Sequence, residues 1–418
     1  MKLRVAIIGC GAIAEHRHAP EYHANPNVEI VAFCDPAPGR AERLAMQYGG
    51  ISFTNYEDLL AHADVDAVSV CTANSTHADV TMKALRAGKH VLCEKPMATQ
   101  LADARQMVRA AERAGRLLMV GHNQRLTAAH RKAKELLRSG EMGRVLTFRT
   151  TFGHGGPETW SADKGAGTWF FKKSAASLGA LGDLGVHKAD LIRWLIGDEI
   201  DEVYSVAGAF HKTYENGTPI DVEDNAVCVL KSRGGVVGTL TASWTYYGSE
   251  DNSTVLYCEK GIIRIYASPE HPLTVERRDG SVEHLDAGAI QTNASQTSSG
   301  VIDAFVESVL SGSRPPVTGE DGFEALSIAL ACSQSARTGN ALAVSHYGDD
   351  FMSVRKWMTP TVAVLHLQME SNQVSAPRSV NFTCDETYPG FSARRAGREA
   401  DGQWRRRVSL ELGDRAIH

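Results

Sequence analysis

No two cysteines in this 418-residue sequence stand at Cys-x-x-Cys spacing; the eight present are scattered over positions 10, 34, 71, 93, 228, 258, 332 and 384. That scatter suggests neither a zinc site nor a disulfide framework. Four of them lie in or beside strand-like apolar runs, where a thiol behaves as a small buried hydrophobe. There is no apolar run of about 18 residues and no charged-then-apolar leader, so neither a membrane span nor secretion is expected, and the chain reads as a soluble cytoplasmic protein. A formal net charge of −5, with no basic stripe ahead of the tail, argues against nucleic acid as a partner. What is present is ordinary globular composition, 43% hydrophobic and 22% charged, at a length that suits about two or three domains.

The first strand-length run, Leu3–Ile8, leads directly into Gly9-Cys10-Gly11-Ala12-Ile13-Ala14, the G-x-G-x-x-A form of a dinucleotide fingerprint. Its small residues let the backbone approach a pyrophosphate, whose charge meets the N-terminus of the next helix. A second strand, Val28–Cys34, ends in Asp35, which lies 24 residues after Gly11 and near the spacing of a ribose 2′-hydroxyl acceptor. A carboxylate there favours NAD over NADP, and Arg40 five residues on could offset that preference. Further strands at Ile51–Phe53, Val65–Cys71, His90–Cys93 and Leu117–Val120 alternate with helices at Gly39–Tyr48, Thr76–Ala87 (capped by Ser75 or Thr76) and Leu101–Ala114. This β–α rhythm predicts a parallel, doubly wound sheet.

In such a sheet the strand ends face the ligand crevice. Gly9, Gly11, Ala12, Ile13, Asp35, Arg40, Thr72, Asn74, His77, Glu94 and Lys95 are accordingly the candidate cofactor-binding residues. Asn74 and His77 could bond the cofactor's ribose or amide, while capping and turn formation explain Asn74, Ser75 and Thr76 equally well. Lys95, between Glu94 and Pro96 at the end of the His90–Cys93 strand, stands where open α/β sheets bind ligands.

From Gly121-His122-Asn123-Gln124-Arg125 the rhythm changes. A helix at Ala128–Arg138 precedes strands at Arg144–Phe152, Glu202–Phe210, Ala226–Lys231, Val236–Trp244, Thr254–Glu259 and Ile262–Tyr266. Strands in succession imply a largely antiparallel sheet, one face of which would pair with another subunit as a dimer or tetramer. Helices follow at Gly300–Leu310 and Phe323–Arg337. Within Gly182–Trp194, read as one half-buried helix, Asp183, His187 and Asp190 share a face. A histidine flanked by carboxylates there suits an oriented acid/base, and no second histidine or cysteine at ligand spacing points to a metal. Upstream, an aromatic, glycine-containing excursion carries His154 and Trp169. It suits the apolar face of a sugar ring or an oligomer contact equally well. His122, Arg125, His154, Trp169 and Asp190 are the candidate substrate contacts.

Taken together, Gly9–Ala14, Cys71-Thr72-Ala73-Asn74-Ser75-Thr76-His77, Glu94-Lys95-Pro96 and Asp183-Leu184-Gly185-Val186-His187 resemble the motifs of the Gfo/Idh/MocA family over roughly residues 3–347. The resemblance implies a Rossmann NAD(P)-binding domain at 1–122 and an α+β domain at 123–347, with a large, mostly antiparallel open sheet that binds substrate and mediates oligomers. It implies that Lys95 is catalytic and contacts substrate and cofactor, beside a cis Lys95–Pro96 bond as in relatives, and that His187 is the proton acceptor with Asp183 orienting it. The expected activity is oxidation of a secondary hydroxyl of a sugar, inositol or polyol, or its reversal. Two further activities are known among relatives, an NAD-dependent glycosidase working by transient oxidation and a non-catalytic nucleotide-sensing regulator. Residues 348–418 form an extension of unknown role, with candidate strands at Thr361–Met369 and Trp404–Leu412.

Overall fold

A computed structural model describes residues 2–62, 64–288 and 298–349, and the candidate strands of the extension lie outside them. Two sheets form among the described residues. The first contains β1 (Leu3–Ile8), β2 (Val28–Cys34), β3 (Ile51–Phe53), β4 (Ala67–Val70), β5 (His90–Cys93) and β6 (Leu118–Val120), ordered β3-β2-β1-β4-β5-β6 and parallel throughout. Helices α1 (Ala19–Ala24), α2 (Arg40–Tyr48), α3 (Tyr56–His62), α4 (Asn74–Arg86) and α5 (Leu101–Ala114) connect its strands. Helices cover both faces, so β1 and β4 are almost wholly buried and read as unbroken apolar runs rather than alternating ones. The strand order reverses between β1 and β4, and Gly9, Asp35, Thr72 and Lys95 all follow strand ends on that one edge.

The second sheet has nine strands in the order β14-β13-β12-β11-β7-β10-β9-β8-β15. They are β7 (Val145–Gly153), β8 (Ile200–Gly208), β9 (Asn225–Ser232), β10 (Val237–Ser243), β11 (Thr254–Cys258), β12 (Gly261–Ile265), β13 (Leu273–Arg277), β14 (Val282–Leu285) and β15 (Leu342–Ala343). Only the β10/β7 pair runs parallel. Between these strands lie α6 (Ala128–Arg138), α7 (Lys173–Ala176), α8 (Val186–Ile196), α9 (Val301–Ser311) and α10 (Gly319–Thr338). Strand β9 alternates strictly, with Ala226, Cys228 and Leu230 buried against α8 and α10 while Val227 and Val229 face outward. That alternation is the signature of a one-sided antiparallel sheet.

Several expectations need correction. Helix α8 is not half-buried: every residue from Val186 to Arg193 is buried, because the helix is enclosed by the sheet, α6 and α10. The segment before it, Leu181–Gly185, is a π-turn in which the Val186 amide reaches the Leu181 carbonyl, a local irregularity common at functional sites. Helix α4 begins at Asn74 with Ala73 as its N-cap, and neither Ser75 nor Thr76 caps it. Strands β13, β14 and β15 were not foreseen, since the outermost β14 is half exposed along its length and lacks a buried face to mark it. Helix α10 starts four residues before its expected Phe323, where Thr318 and Asp321 form a reciprocal capping box.

Gly9 holds the first loop to the sheet. Its φ is +94°, and a Cβ there would lie 2.5 Å from the Cys71 carbonyl group, whereas a Cβ at Gly11 would meet nothing within 4 Å. Gly9→Ala is therefore expected to cost about 2–4 kcal/mol in urea unfolding through left-handed strain and overpacking. Gly11→Ala should leave stability nearly unchanged. Equal, small effects for the two substitutions would contradict this packing.

Candidate active site

The strand ends of the first sheet open into a cavity of about 920 Å³. Gly9, Gly11, Ala12, Ile13, Asp35, Arg40, Thr72, Asn74, His77, Glu94 and Lys95 all contribute to its wall. The empty space over Gly11 is the cradle that a pyrophosphate against the backbone requires. Asp35 closes the fingerprint loop, accepting the Cys10 amide at 2.7 Å through Oδ2 and the Ala37 amide at 2.8 Å through Oδ1. These residues fit a dinucleotide.

Four more of the candidates are engaged by the protein itself. His77 sets both ring nitrogens against main-chain carbonyls, Nδ1 by Pro96 at 2.8 Å and Nε2 by Thr72 at 2.9 Å, and the single N–H of the neutral ring donates to one of them, between two strand ends. Asn74 donates through Nδ2 to the Ala176 carbonyl at 3.1 Å, joining α4 to α7. Glu94 is buried beneath the loop and bonds His18 Nε2 at 2.9 Å, with Arg17 at 3.7 Å. Burial alone would raise its carboxyl, but His18, Arg17 and Lys95 outweigh that and hold it at about 2. Arg40 reaches across to the aromatic excursion and pairs with Asp163 Oδ1 at 2.7 Å.

The second sheet brings the other half. Lys95 Nζ donates to Asp183 Oδ1 and to the Asp183 carbonyl, both at 2.9 Å, and the Lys95–Pro96 bond is cis. The fully buried Trp244 donates through Nε1 to Asp183 Oδ2 at 3.0 Å, and His154 Nε2 lies 4.0 Å from the same oxygen. Burial pushes the Asp183 carboxyl up, yet Lys95, His154 and the indole together keep it below its ordinary value. Gly156 N donates to His154 Nδ1 at 3.0 Å, which makes Nδ1 an acceptor and leaves the proton of the neutral ring on Nε2, toward Asp183.

His187 also lines the cavity. Its Nδ1 is buried without a hydrogen-bond partner, which leaves Nε2 to meet a ligand. Asp183 does not orient it, because both carboxylate oxygens are taken by Lys95 and Trp244. The ring is instead held by packing: His122 stands edge-on with centroids 5.7 Å apart, and Phe152 lies at 6.0 Å. Burial, and then the positive charges of Lys95 and Arg17 and the neighbouring His122, hold its pKa well below 6.5, so the ring is neutral.

His154 and Trp169 belong to the cavity wall, whereas His122, Arg125 and Asp190 do not. His122 stands behind His187. Arg125 and Asp190 form a buried fork-to-fork pair at 2.7 and 2.5 Å, with Asp321 at 3.0 Å from Arg125, which locks α8 to the turn after β6. The helical spacing that placed Asp190 near His187 was sound, but its carboxylate turns to this structural guanidinium. Trp160, part of the aromatic excursion, also lines the wall, and sequence reading overlooked Gln124, Glu250 and Asn252 in the wall and Trp244 behind it. Gln124 was accessible by the strand-end rule that found Lys95, since it follows β6. Glu250 and Asn252 sit in a polar loop that reads as a plain turn. Glu199, Glu324 and His346 bring ligand-type atoms within 4.8 Å of one another, but none lines the cavity, and Arg193 and Asp201 already bond to them.

A glycine cradle at the switch point of a parallel sheet, facing a lysine, a carboxylate and a neutral imidazole, defines a dinucleotide-dependent oxidoreductase. Residues 3–122 match the model for the oxidoreductase family with an NAD-binding Rossmann fold, and residues 130–264 match that for the GFO/IDH/MocA C-terminal domain. The chain belongs to the Gfo/Idh/MocA family. It is 31% identical over 343 residues to the 1,5-anhydro-D-fructose reductase of Ensifer adhaerens, covering 81% of this chain and 97% of that one. With the myo-inositol 2-dehydrogenase of Thermotoga maritima it shares 28% over 338 residues, 80% of this chain and 96% of the other. Among solved structures it resembles the aldose-aldose oxidoreductase of Caulobacter crescentus complexed with glycerol, with a TM-score of 0.70 and 28% identity across 82% of this chain and all of that one. It is an enzyme of the dehydrogenase and reductase type, with NAD as its cofactor.

Two measurements follow from this geometry. His77, His122, His130, His154 and His187 are all held below their ordinary 6.5, chiefly by burial. Below pH 6.5 the unfolded chain binds more protons at these sites than the folded one, so stability must fall as pH drops. His346, raised by Glu324 and Asp201, and Glu223 and Glu250, both raised to about 7 chiefly by burial, act in the opposite direction but are outnumbered by the five histidines. A fall in Tm between pH 7 and pH 5 is expected in scanning fluorimetry, and an unchanged or rising Tm would contradict neutral burial. Secondly, Asp163→Asn frees Arg40 for a 2′-phosphate. Exposed pairs are worth about 0.2–1 kcal/mol, so NADPH affinity should rise by up to about fivefold relative to NADH in fluorescence titration. A ratio that does not move would separate Arg40 from cofactor choice.

Proposed function

We propose that this enzyme oxidises a secondary hydroxyl of a sugar, an inositol or another polyol to a ketone, or runs the reverse reduction. The observation that carries the reading is the convergence of neutral His187 and the Lys95–Asp183 pair on a single cavity with the glycine cradle. When bound, the nicotinamide supplies the hydride acceptor. His187 Nε2 takes the hydroxyl proton. Lys95 has three N–H donors, two of them committed to Asp183, so the third is free to hold the hydroxyl oxygen. Asp183 fixes the ammonium rather than the imidazole. His154 and the stacked Trp169–Phe170 pair, with centroids 3.9 Å apart, offer the polar and apolar sides of a sugar site.

In this reading residues 1–122 hold the dinucleotide, and residues 123–347 bring the base and the substrate contacts. The 1,5-anhydro-D-fructose reductase and myo-inositol 2-dehydrogenase relatives favour a cyclic polyhydroxylated substrate. The outward face of the second sheet, with Tyr204, Val206, Val227 and Val229 exposed, supports pairing of two or more copies of the chain through that sheet. The complete set of Lys95, Asp183 and His187 gives no support to a non-catalytic regulator.

His187→Ala and Lys95→Ala should each lower kcat about 10²–10⁴-fold, with NADH affinity largely retained. The test is a screen of inositols, aldoses and glycosides followed at the nicotinamide absorbance. Variants within about threefold of wild type would remove these roles. Aglycone release without net NADH would replace the dehydrogenase by a glycosidase.

A further inference from the structure

One row of polar side chains in the cavity wall, two buried and one half-buried, has no part in the proton and hydride steps. Gln124, in the turn after β6, donates through Nε2 to Asn252 Oδ1 at 2.9 Å. Asn252 Nδ2 in turn donates to Glu250 Oε1 at 3.4 Å. All three line the cavity, and Gln124 is only 2% exposed. Its Oε1 is buried with no hydrogen-bond partner. Flipping the amide would only exchange the orphan, since the other end of the group would then be left over. An unsatisfied polar atom in a buried wall is costly unless something else completes it.

Behind the row stands Lys188, fully buried and next in sequence to His187. Its Nζ donates to the Asn252 carbonyl at 2.9 Å and reaches Thr254 Oγ1 at 3.5 Å. Consecutive residues of a helix point about 100° apart. The step from His187 to Lys188 therefore couples the cavity side of α8 to the backbone of the loop that carries Glu250 and Asn252. Burial brings the Lys188 amine down to about 7 and the Glu250 carboxyl up to about 7, which leaves Glu250 able to donate or accept near neutrality.

We propose that Gln124, Asn252 and Glu250 form the specificity wall of the polyol site, hydrogen-bonding hydroxyls on carbons that flank the oxidised one, with Lys188 as the positioning residue that fixes this wall relative to His187. The inference rests on the polyol reading above and adds what that reading leaves open, namely which side chains distinguish one polyol from another. A row that alternates donor and acceptor fits a vicinal diol, whose hydroxyls both donate and accept. It would reject an analogue lacking one of them.

The test compares parent and deoxygenated probes: myo-inositol against its monodeoxy analogues, and D-glucose against 2-deoxy- and 3-deoxy-D-glucose, each with NAD. Wild type should lose roughly ten- to a hundredfold in kcat/KM on at least one deoxygenated probe. In Glu250→Gln, which changes little volume, and in Asn252→Leu, that penalty should shrink toward unity while NADH affinity stays at the wild-type value. Lys188→Met should raise KM for the parent polyol and reduce the same penalty, with kcat falling much less than in His187→Ala. A penalty unchanged in the Glu250 and Asn252 variants overturns the wall, as does a wild type that treats parent and deoxygenated probes alike. A Lys188 variant that lowers Tm yet keeps the full penalty overturns its positioning role. Equilibrium dialysis of the polyols with the NADH-loaded enzyme separates the two levels. Binding without turnover removes the His187 chemistry alone, and absence of binding removes the wall together with the polyol reading.

Discussion

The ion pair between Lys95 and Asp183 is the contact on which the site depends. Its ammonium comes from the last residue before a cis proline at the end of β5, and its carboxylate from a π-turn ahead of α8. Of the two groups, Lys95 still reaches the cavity, whereas Asp183 is closed off. Asp183 is 5% exposed as a residue and would carry an isolated buried charge if Lys95 were removed. The second oxygen is taken by Trp244, so the carboxylate is held by two donors from elements far apart in sequence, and Lys95 bonds the Asp183 main-chain carbonyl as well. With the pair formed, the glycine cradle and the imidazole face one another across one cavity.

Charge is managed in the same way throughout the site. Glu94 stays ionised because His18 and Arg17 reach it beneath the fingerprint loop, and Asp183 because Lys95 does. His187 is treated in the opposite manner. It receives no carboxylate, its neighbours are cationic or aromatic, and burial makes the neutral ring its stable form. The ring is kept deprotonated here by withholding a counter-charge. The sequence pattern of a histidine between two aspartates suggested the reverse arrangement.

Much of the architecture could be read from residue order alone. The unbroken apolar runs of β1, β4 and β5 and the fingerprint that follows β1 fix a doubly wound sheet, and the strand-end rule places Lys95 and Asp35 on its binding edge. Pairing choices were harder to read. Asp190 shares a helix face with His187, yet it is claimed by Arg125, because two buried forks can satisfy one another completely. Asn74 and His77 likewise spend their polar atoms on the main chain. Trp244, Glu250 and Asn252 were not legible, since nothing local in a strand end or a polar loop shows which distant carboxylate or amide it will meet.

Trp244 has one more consequence. Its indole is sealed in the core and bonded at Nε1 to the carboxylate that anchors Lys95, so its excited state lies in the electric field of the reaction centre. Any event that alters that field, such as arrival of the positively charged nicotinamide or movement of Lys95, must shift the indole's emission. The enzyme thus carries its own optical probe of the charge state of its site.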